Sequence, residues 1–241
     1  MCTGLVVGSV EGALLAHSTF AGAHAGRRKI IIAVGGQRTH HTRMVSHGLS
    51  PVNVSPTTPR VAFQGAPGAF GEHAIALYWA NGAQSVPCLS FDTTIASLMR
   101  GDVNYAVLPV ENVIAGPVHA ALHALSLAEP RVKVKGEVTV PIGLCCMALA
   151  GATIDALRVV RSHDVALAQC GNFFTRQPHI VRESHEDTAG AARDVAAGDD
   201  RAIGAIAGEA AAARYGLVIL AHAIQDVADN WTRFVILARS T

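Results

Sequence analysis

From residue 60 onwards, short apolar segments typical of β-strands alternate with segments typical of α-helices. Arg60–Gln64 is a strand-like segment, and a glycine-rich turn separates it from a helix-like segment at 72–80. Strands that alternate with helices form a sheet covered by helices, so this pattern predicts an α/β fold. The other predicted strands are 85–89, 105–110, 131–140, 138–148, 157–160, 179–181, 202–207, 217–220 and 232–238, and the other predicted helices are 92–100, 116–127, 164–174, 187–197 and the Ala-rich segment that ends at 215.

Particular residue types predict where several helices begin and end. Asp92 and Asp187 precede helix-like segments and are predicted N-caps, because a short acidic side chain accepts hydrogen bonds from the first free amides. Gly116-Pro117 is predicted to begin a helix, since proline suits the first turn. Gly216 is predicted to end the Ala-rich helix.

Residues 1–59 differ in composition from the rest of the chain and are predicted to lie outside the fold. They carry five Lys or Arg and one acid, Glu11, and they are rich in small residues, hydroxyls, histidine and proline. A basic, acid-poor segment with hydroxyls is typical of an organellar targeting peptide. A disordered leader, or a true start at Met44, is an equal alternative, whereas a secretory signal is disfavoured because Glu11 interrupts its apolar stretch.

Composition excludes several classes of function. The net charge of +1 argues against a nucleic-acid surface. The five cysteines form no CxxC pair and no zinc spacing with histidine, which predicts no metal site and reduced, buried thiols in a cytosol-like compartment. The longest uncharged apolar run, Val138–Ala150, is too short to cross a membrane.

The segment Asn230–Leu237 places a hydroxyl and a cation at the start of an apolar strand. Thr232 can donate one proton and accept two hydrogen bonds, and Arg233 presents a planar fork suited to a carboxylate. Because a buried strand holds its first residues rigidly, this segment could bind an acid and donate a proton beside it. An ordinary strand start with a surface arginine explains the same residues.

Five segments, in this order along the chain, together resemble the prephenate dehydratase family. They are Gly65–Phe70, Leu108–Asn112 with Gly116, Ser162–Cys170, Asp187–Ala192 and the Asn-x-Thr-Arg-Phe signature at Asn230–Phe234. The resemblance spans Val61 to about Leu237, and five ordered segments are far more specific than any one of them.

The resemblance implies a two-lobed α/β fold like that of type II periplasmic binding proteins, with the active cleft between the lobes. Lobe 1 is expected at about 60–135 plus the C-terminal return, lobe 2 at about 136–228, and the crossing strands near 131–140. The implied reaction is the decarboxylating dehydration of prephenate to phenylpyruvate in phenylalanine biosynthesis. It is a lyase reaction that needs no cofactor or metal, and the family further implies a homodimer in the cytoplasm, or in an organelle if 1–59 is a transit peptide.

The resemblance also assigns roles to individual residues. Thr232 is the expected proton donor at the leaving hydroxyl, and Arg233 is placed for a substrate carboxylate or to hold the hinge. Glu111, Asn112 and Asn230 are candidates to orient the substrate or Thr232. The other expected substrate contacts are Gly65, Gly68, Phe70, His163, Thr188 and Phe234. His163 has a second interpretation, as a structural cap of the following helix, and Cys170 is expected in the core.

Departures from the family pattern widen the choice of substrate. Val113, Ala69 and Gly71 stand where the family usually has hydroxyl side chains, so weaker prephenate binding or a preference for arogenate is expected. The family's ACT regulatory domain has no counterpart in these 241 residues, so phenylalanine feedback through it is not expected. A prephenate decarboxylase that does not aromatise the ring and a non-catalytic small-acid-binding module are the alternatives, and a nucleotide-binding protein lacks its phosphate fingerprint.

Overall fold

The computed structural model describes residues 58–80 and 82–240. The predictions for residues 1–57 therefore lie outside the described residues. The first lobe is built on a mixed sheet with the strand order β2-β1-β3-β11-β5, and β4 pairs with β3. These strands are β1 (Arg60–Gln64), β2 (Gln84–Cys88), β3 (Tyr105–Asn112), β4 (Gly116–Pro117), β5 (Val132–Pro141) and β11 (Trp231–Arg239).

The second lobe is built on a separate sheet with the order β10-β6-β9-β7-β8. Its strands are β6 (Cys145–Ala148), β7 (Val159–Ser162), β8 (Val181–Ser184), β9 (Ile203–Ala207) and β10 (Val218–Ala221). The helices along the chain are α1 (Phe70–Trp79), α2 (Phe91–Arg100), α3 (His119–Ala128), α4 (Asp164–Ala168), α5 (Gly171–Arg176), α6 (Thr188–Ala197) and α7 (Glu209–Tyr215). This architecture confirms the predicted two-lobed α/β fold. No described helix is long and apolar enough to cross a membrane.

Strand β11 returns from the second lobe and inserts antiparallel between β3 and β5. Because side chains alternate along a strand, Thr232, Phe234 and Ile236 share one face of the sheet, and Arg233 and Val235 share the other. The two faces pack into different buried clusters, with Phe234 and Ile236 in one and Val235 in the other. A one-residue slip of β11 would exchange these faces, so burial fixes its register.

The change from the first sheet to the second occurs later in the chain than expected. Strand β5 stays paired with β11 as far as Pro141, which lies opposite Trp231. The expected division at 135/136 therefore falls inside β5, and residues 142–144 connect the two sheets. Backbone pairing with β11 decides this position, and β11 lies about ninety residues away in sequence, beyond the reach of local patterns.

Three local predictions were wrong. Ser90, not Asp92, is the N-cap of α2, because its hydroxyl accepts from the Thr93 amide while the Thr93 hydroxyl accepts from the Ser90 amide. Gly116-Pro117 forms β4 against β3 instead of beginning a helix. The predicted helix 164–174 is two helices, α4 and α5, which are separated at 169–170. Asp187 caps α6 as predicted, because its carboxylate accepts from the Gly190 amide.

Candidate active site

Three side-chain amides from separate parts of the chain form a closed ring of hydrogen bonds, here called the amide ring. Asn112 Nδ2 donates to Asn230 Oδ1 at 2.8 Å. Asn230 Nδ2 donates to Gln169 Oε1 at 3.0 Å, and Gln169 Nε2 donates back to Asn112 Oδ1 at 3.1 Å. Each amide both donates and accepts within the ring, so each one fixes the orientation of the next.

The amide ring joins the two lobes at their boundary. Asn112 ends β3 in the first lobe, and Gln169 follows α4 in the second lobe. The side-chain oxygen of Asn112, Oδ1, also accepts from the backbone amides of Ile114 at 3.1 Å and Ala115 at 2.8 Å. Two backbone donors settle which end of the Asn112 amide is oxygen, so its Nδ2 must face Asn230 and Thr232.

Thr232 lies directly opposite Asn112 in the sheet and is buried with it. Its Oγ1 accepts from Asn112 Nδ2 at 3.1 Å, in a bond shared with the Trp231 carbonyl, which accepts from the same nitrogen at 2.9 Å. Because Oγ1 serves as an acceptor in this contact, its own proton is free to be donated to another group. The same amide N–H would stabilise negative charge that develops on Oγ1 as that proton leaves. The arrangement is suited to a neutral proton donor.

Arg233 and Glu111 lie on the other face of the same strands. Arg233 Nη2 and Nε donate to Glu111 Oε2 at 2.9 and 3.2 Å, and Nη1 donates to Glu137 Oε2 at 3.4 Å. The hydrogen bonds that the Arg233 guanidinium donates to Glu111 are the main cause that raises the pKa of Arg233. The structure therefore places Arg233 and Glu111 together, but apart from Thr232. Phe234 is on the Thr232 face, in the buried core.

The second contact between the lobes is the glycine turn, residues 65–70. Gly65 and Gly68 have φ of +110° and +91°, which glycine adopts without strain. Asp187 Oδ1 accepts from the Ala66 amide at 3.4 Å and the Gly190 amide at 2.7 Å, so it connects the turn to α6. A Cβ added at Gly68 would lie 3.0 Å from the Cα of Ala211 in α7, so the backbones meet directly.

Of the remaining predicted contacts, Phe70 and Thr188 lie beside this turn or next to Asp187, whereas His163 belongs to the start of α4. The Phe70 ring lies against Gly208, because a Cβ added at Gly208 would be only 3.0 Å from the ring. Thr188 is the first residue of α6 and is half-buried beside Asp187. His163 is exposed, and its Nδ1 accepts from the Val165 amide at 3.3 Å. His163 therefore caps α4, which is the structural role considered for it above.

Sequence reasoning missed Gln169, although it lies in one of the family-like segments. Its position after an apolar helical run gave it no special signal, because a glutamine there is typical of an exposed helix end. A pocket of about 370 Å³ opens beside the amide ring, with Gln169 in its wall among Ile114, Val165 and Val227, whereas Thr232 is not part of that wall. The break between α4 and α5 that places Gln169 at the lobe boundary is visible only in the structure, because the sequence predicts one continuous helix there.

Cysteine and metal chemistry find no support at this site. Burial raises the pKa of the Cys170 and Cys146 thiols to about 12, so both stay protonated at neutral pH. Cys170 is fully buried, as expected. Within 58–80 and 82–240, no group of three or more His, Cys, Asp or Glu side chains could hold a metal ion. The polar groups of the site are thus amides and hydroxyls.

These features define a two-lobed α/β protein with a neutral, hydrogen-bonded polar site at the lobe boundary. Comparison with known families assigns it more closely. Residues 61–241 match the model of the prephenate dehydratase family. The chain belongs to that family.

Known relatives come from plants and bacteria. The chain is 42% identical to arogenate dehydratase 2 of Petunia hybrida over 81% of its own length and 49% of the relative's. It is 43% identical to the chloroplastic arogenate dehydratase/prephenate dehydratase 2 of Arabidopsis thaliana, over 75% of its own length and 46% of that relative's. The chain thus spans about half the length of the curated relatives it matches. A crystal structure of prephenate dehydratase from Arthrobacter aurescens in complex with L-Phe superposes with a TM-score of 0.69 at 28% identity, covering 76% of this chain and 61% of that one.

Proposed function

We propose that this protein catalyses the decarboxylating dehydration of prephenate or arogenate, with Thr232 as the proton donor to the leaving hydroxyl. The observation that carries the proposal is the hydrogen bond from Asn112 Nδ2 to Thr232 Oγ1. In this bond Thr232 Oγ1 is the acceptor, so the threonine proton is free to be donated to substrate. The Asn112 amide then stabilises the oxygen as that proton leaves. The amide ring supports the geometry by fixing Asn112 from both sides.

The chemistry needs one proton and no redox partner. The ring hydroxyl takes the Thr232 proton and leaves as water, while the bond to the ring carboxylate breaks and carbon dioxide departs. The electron pair of that bond enters the ring and makes it aromatic. A threonine is too weakly acidic to ionise beforehand, so proton transfer accompanies C–O cleavage. Oγ1 then recovers a proton from solvent, and one proton is consumed per turnover.

The choice of substrate rests on the relatives and on the departures from the family pattern. Both plant relatives carry arogenate dehydratase in their names. Val113, which stands where the family usually has serine, follows Asn112 directly and presents an exposed apolar side chain to solvent. Arogenate differs from prephenate in having an amine instead of a keto group. Arogenate is therefore tested beside prephenate, and the expected products are phenylalanine and phenylpyruvate.

The test is turnover of both compounds by the full chain and by Thr232→Ala, with Thr153→Ala as the control. Thr153 is exposed, and it takes part in none of the hydrogen bonds of the amide ring. Loss of the donor is expected to lower kcat by about 10²–10⁴-fold, with Thr153→Ala unchanged. Thr232→Ser keeps the hydroxyl and is expected to retain most of the activity. Full activity in Thr232→Ala would refute the assigned role.

Two other outcomes identify the alternatives. Consumption of prephenate without an aromatic product would identify a decarboxylase that does not aromatise the ring. Binding of either compound without turnover, measured by calorimetry, would identify a binding module. The homodimer and the cytoplasmic or organellar location stay predictions, which light scattering and tagged-protein imaging can test.

A further inference from the structure

Arg233 is held by one carboxylate on each of its two neighbouring strands. Glu111 belongs to β3 and Glu137 to β5, and β11 runs between them. All three nitrogens of the guanidinium already have an acceptor on one of these two side chains, at 2.9 to 3.4 Å. The three residues, here called the strand clamp, therefore tie β3, β11 and β5 together.

The strand clamp faces away from the proposed proton donor. Thr232 and Arg233 are consecutive in β11, so their side chains leave opposite faces of the sheet. The pairing shows the same separation, because Thr232 lies opposite Asn112 while Arg233 lies opposite Glu111. A substrate whose hydroxyl meets Thr232 would have the sheet backbone between its carboxylates and the guanidinium.

The charge of the strand clamp also disfavours a role in binding an anion. One guanidinium between two carboxylates leaves a net charge of −1. A third carboxylate that approached Arg233 would meet both glutamates and would compete with hydrogen bonds already made. The side chains are 37% to 43% exposed, so solvent screens this repulsion only in part.

The strand clamp sits where the pairing of β11 with β3 is weakest. Arg233 lies opposite Glu111, but the next residue, Phe234, lies opposite Pro109, so Val110 forms a bulge. Beyond this bulge the end of β3 pairs with β11 only at 232 and 233, followed by the bond from the Val113 amide to the Trp231 carbonyl at 3.0 Å, whereas the ladder of β11 with β5 continues unbroken from Trp231 to Ile236. Proline has no amide proton with which to support the ladder. The end of β3 beyond the bulge, which carries Asn112, therefore needs another restraint to stay in register with β11.

We propose that Arg233 is a positioning residue, and that Glu111 and Glu137 are positioning residues with it. The strand clamp holds the end of β3 in register with β11 beyond the bulge and so keeps Asn112 opposite Thr232. The kinetic part of this inference rests on the proposed function, whereas its structural part does not. Glu137 is the new member of the site, since no family-like segment includes it.

The first experiment measures backbone hydrogen exchange in the full chain and needs no catalytic activity. Arg233→Gln is expected to speed exchange of the Val113 amide by about tenfold. Without the clamp, the paired end can open without breaking the ion pairs of Arg233. Glu137→Gln is expected to give a smaller increase at the same amide. Glu183→Gln is the matched control, since Glu183 pairs with Arg161 across two strands of the other sheet. Unchanged exchange at Val113 in Arg233→Gln would overturn the proposal.

The second experiment separates positioning from substrate binding through kinetics. A positioning role predicts that Arg233→Gln lowers kcat by about tenfold or more while KM stays within about twofold. Glu137→Gln is expected to lower kcat less, and the double variant is expected to be no worse than Arg233→Gln alone. A KM that rises about a hundredfold at unchanged kcat would instead make Arg233 a substrate ligand, whatever the role of Thr232. Absence of turnover by the wild type would refute the proposed function and leave the exchange result to decide this inference.

Discussion

The amide ring and the glycine turn both connect the first lobe to the second, but they do so with different chemistry. The amide ring uses directional hydrogen bonds between side chains at 2.8 to 3.1 Å. The glycine turn uses close backbone approach, made possible because Gly68 has no Cβ. The first contact therefore depends on which polar groups are present, whereas the second depends on which atoms are absent.

This difference predicts different consequences of substitution. Removing one amide takes a hydrogen-bond partner from each of the other two beside Thr232, so the effect should fall on catalysis. Adding a methyl group to the turn pushes the backbones of the two lobes apart, so the effect should fall on stability. The three predictions below test this contrast, in order of decreasing effect.

The largest effect is expected from Gln169→Ala. The substitution removes the acceptor of Asn230 Nδ2 and one donor to Asn112 Oδ1, so Asn230 is free to reorient and kcat should fall by about 10²-fold. Steady-state kinetics with prephenate and arogenate measures the loss. Gln84→Ala, an exposed glutamine at the start of β2, serves as the control and should keep full activity. Activity within about threefold of wild type in Gln169→Ala would show that Asn112 is positioned without the ring.

A smaller effect, on stability, is expected from Gly68→Ala. Its backbone has φ +91°, and the new Cβ would lie 3.0 Å from the Ala211 backbone. Unfolding in urea should show a loss of about 1–3 kcal/mol. Gly143→Ala is the comparison, because a Cβ there meets nothing within 4 Å and the backbone is not left-handed. Equal losses in the two variants would mean that close approach at the turn is unimportant.

The smallest effect is expected from Tyr215→Phe. The Tyr215 hydroxyl donates to the Pro67 carbonyl in the turn at 2.7 Å, and its loss should cost about 0.5–1.5 kcal/mol. Burial raises the pKa of Tyr215, so the folded state holds this proton more tightly than the unfolded state. The tyrosine therefore contributes stability below about pH 10 that is lost as pH rises through its folded pKa. Urea titrations between pH 8 and 11 should show a shallower alkaline decline in Tyr215→Phe, and identical slopes would contradict this.

Sequence reasoning was most successful where the signal was local. The alternation of strands and helices gave the fold class, and Asp187 was identified as a cap because its carboxylate acts on an amide three residues away. Asp92 was predicted as the cap of α2 on residue type alone, whereas the reciprocal bonds between Ser90 and Thr93 place the cap two residues earlier. Gly116-Pro117 has residue types that are typical of a helix start, but it pairs with β3 and forms a short strand instead.

Part of the candidate site could be predicted from the sequence, and the part that could not depends on contacts between distant segments. Thr232, Asn112 and Asn230 were selected through family-like segments, and the structure brings them together. Gln169 and Glu137 act through partners 57 to 96 residues away, which no local pattern reveals. The separation of Arg233 from Thr232 follows from strand alternation alone and was available from the sequence once β11 was predicted.

The position of β11 has a consequence for the order in which the protein folds. Thr232 and its partner Asn112 are 120 residues apart, and the whole second sheet lies between them in the chain. The second lobe is contiguous and can form as soon as it leaves the ribosome, whereas the first sheet keeps a gap between β3 and β5 until β11 is synthesised. The earlier half of the chain is therefore expected to finish folding last, and its unpaired strand edges are the surfaces that a chaperone would need to protect.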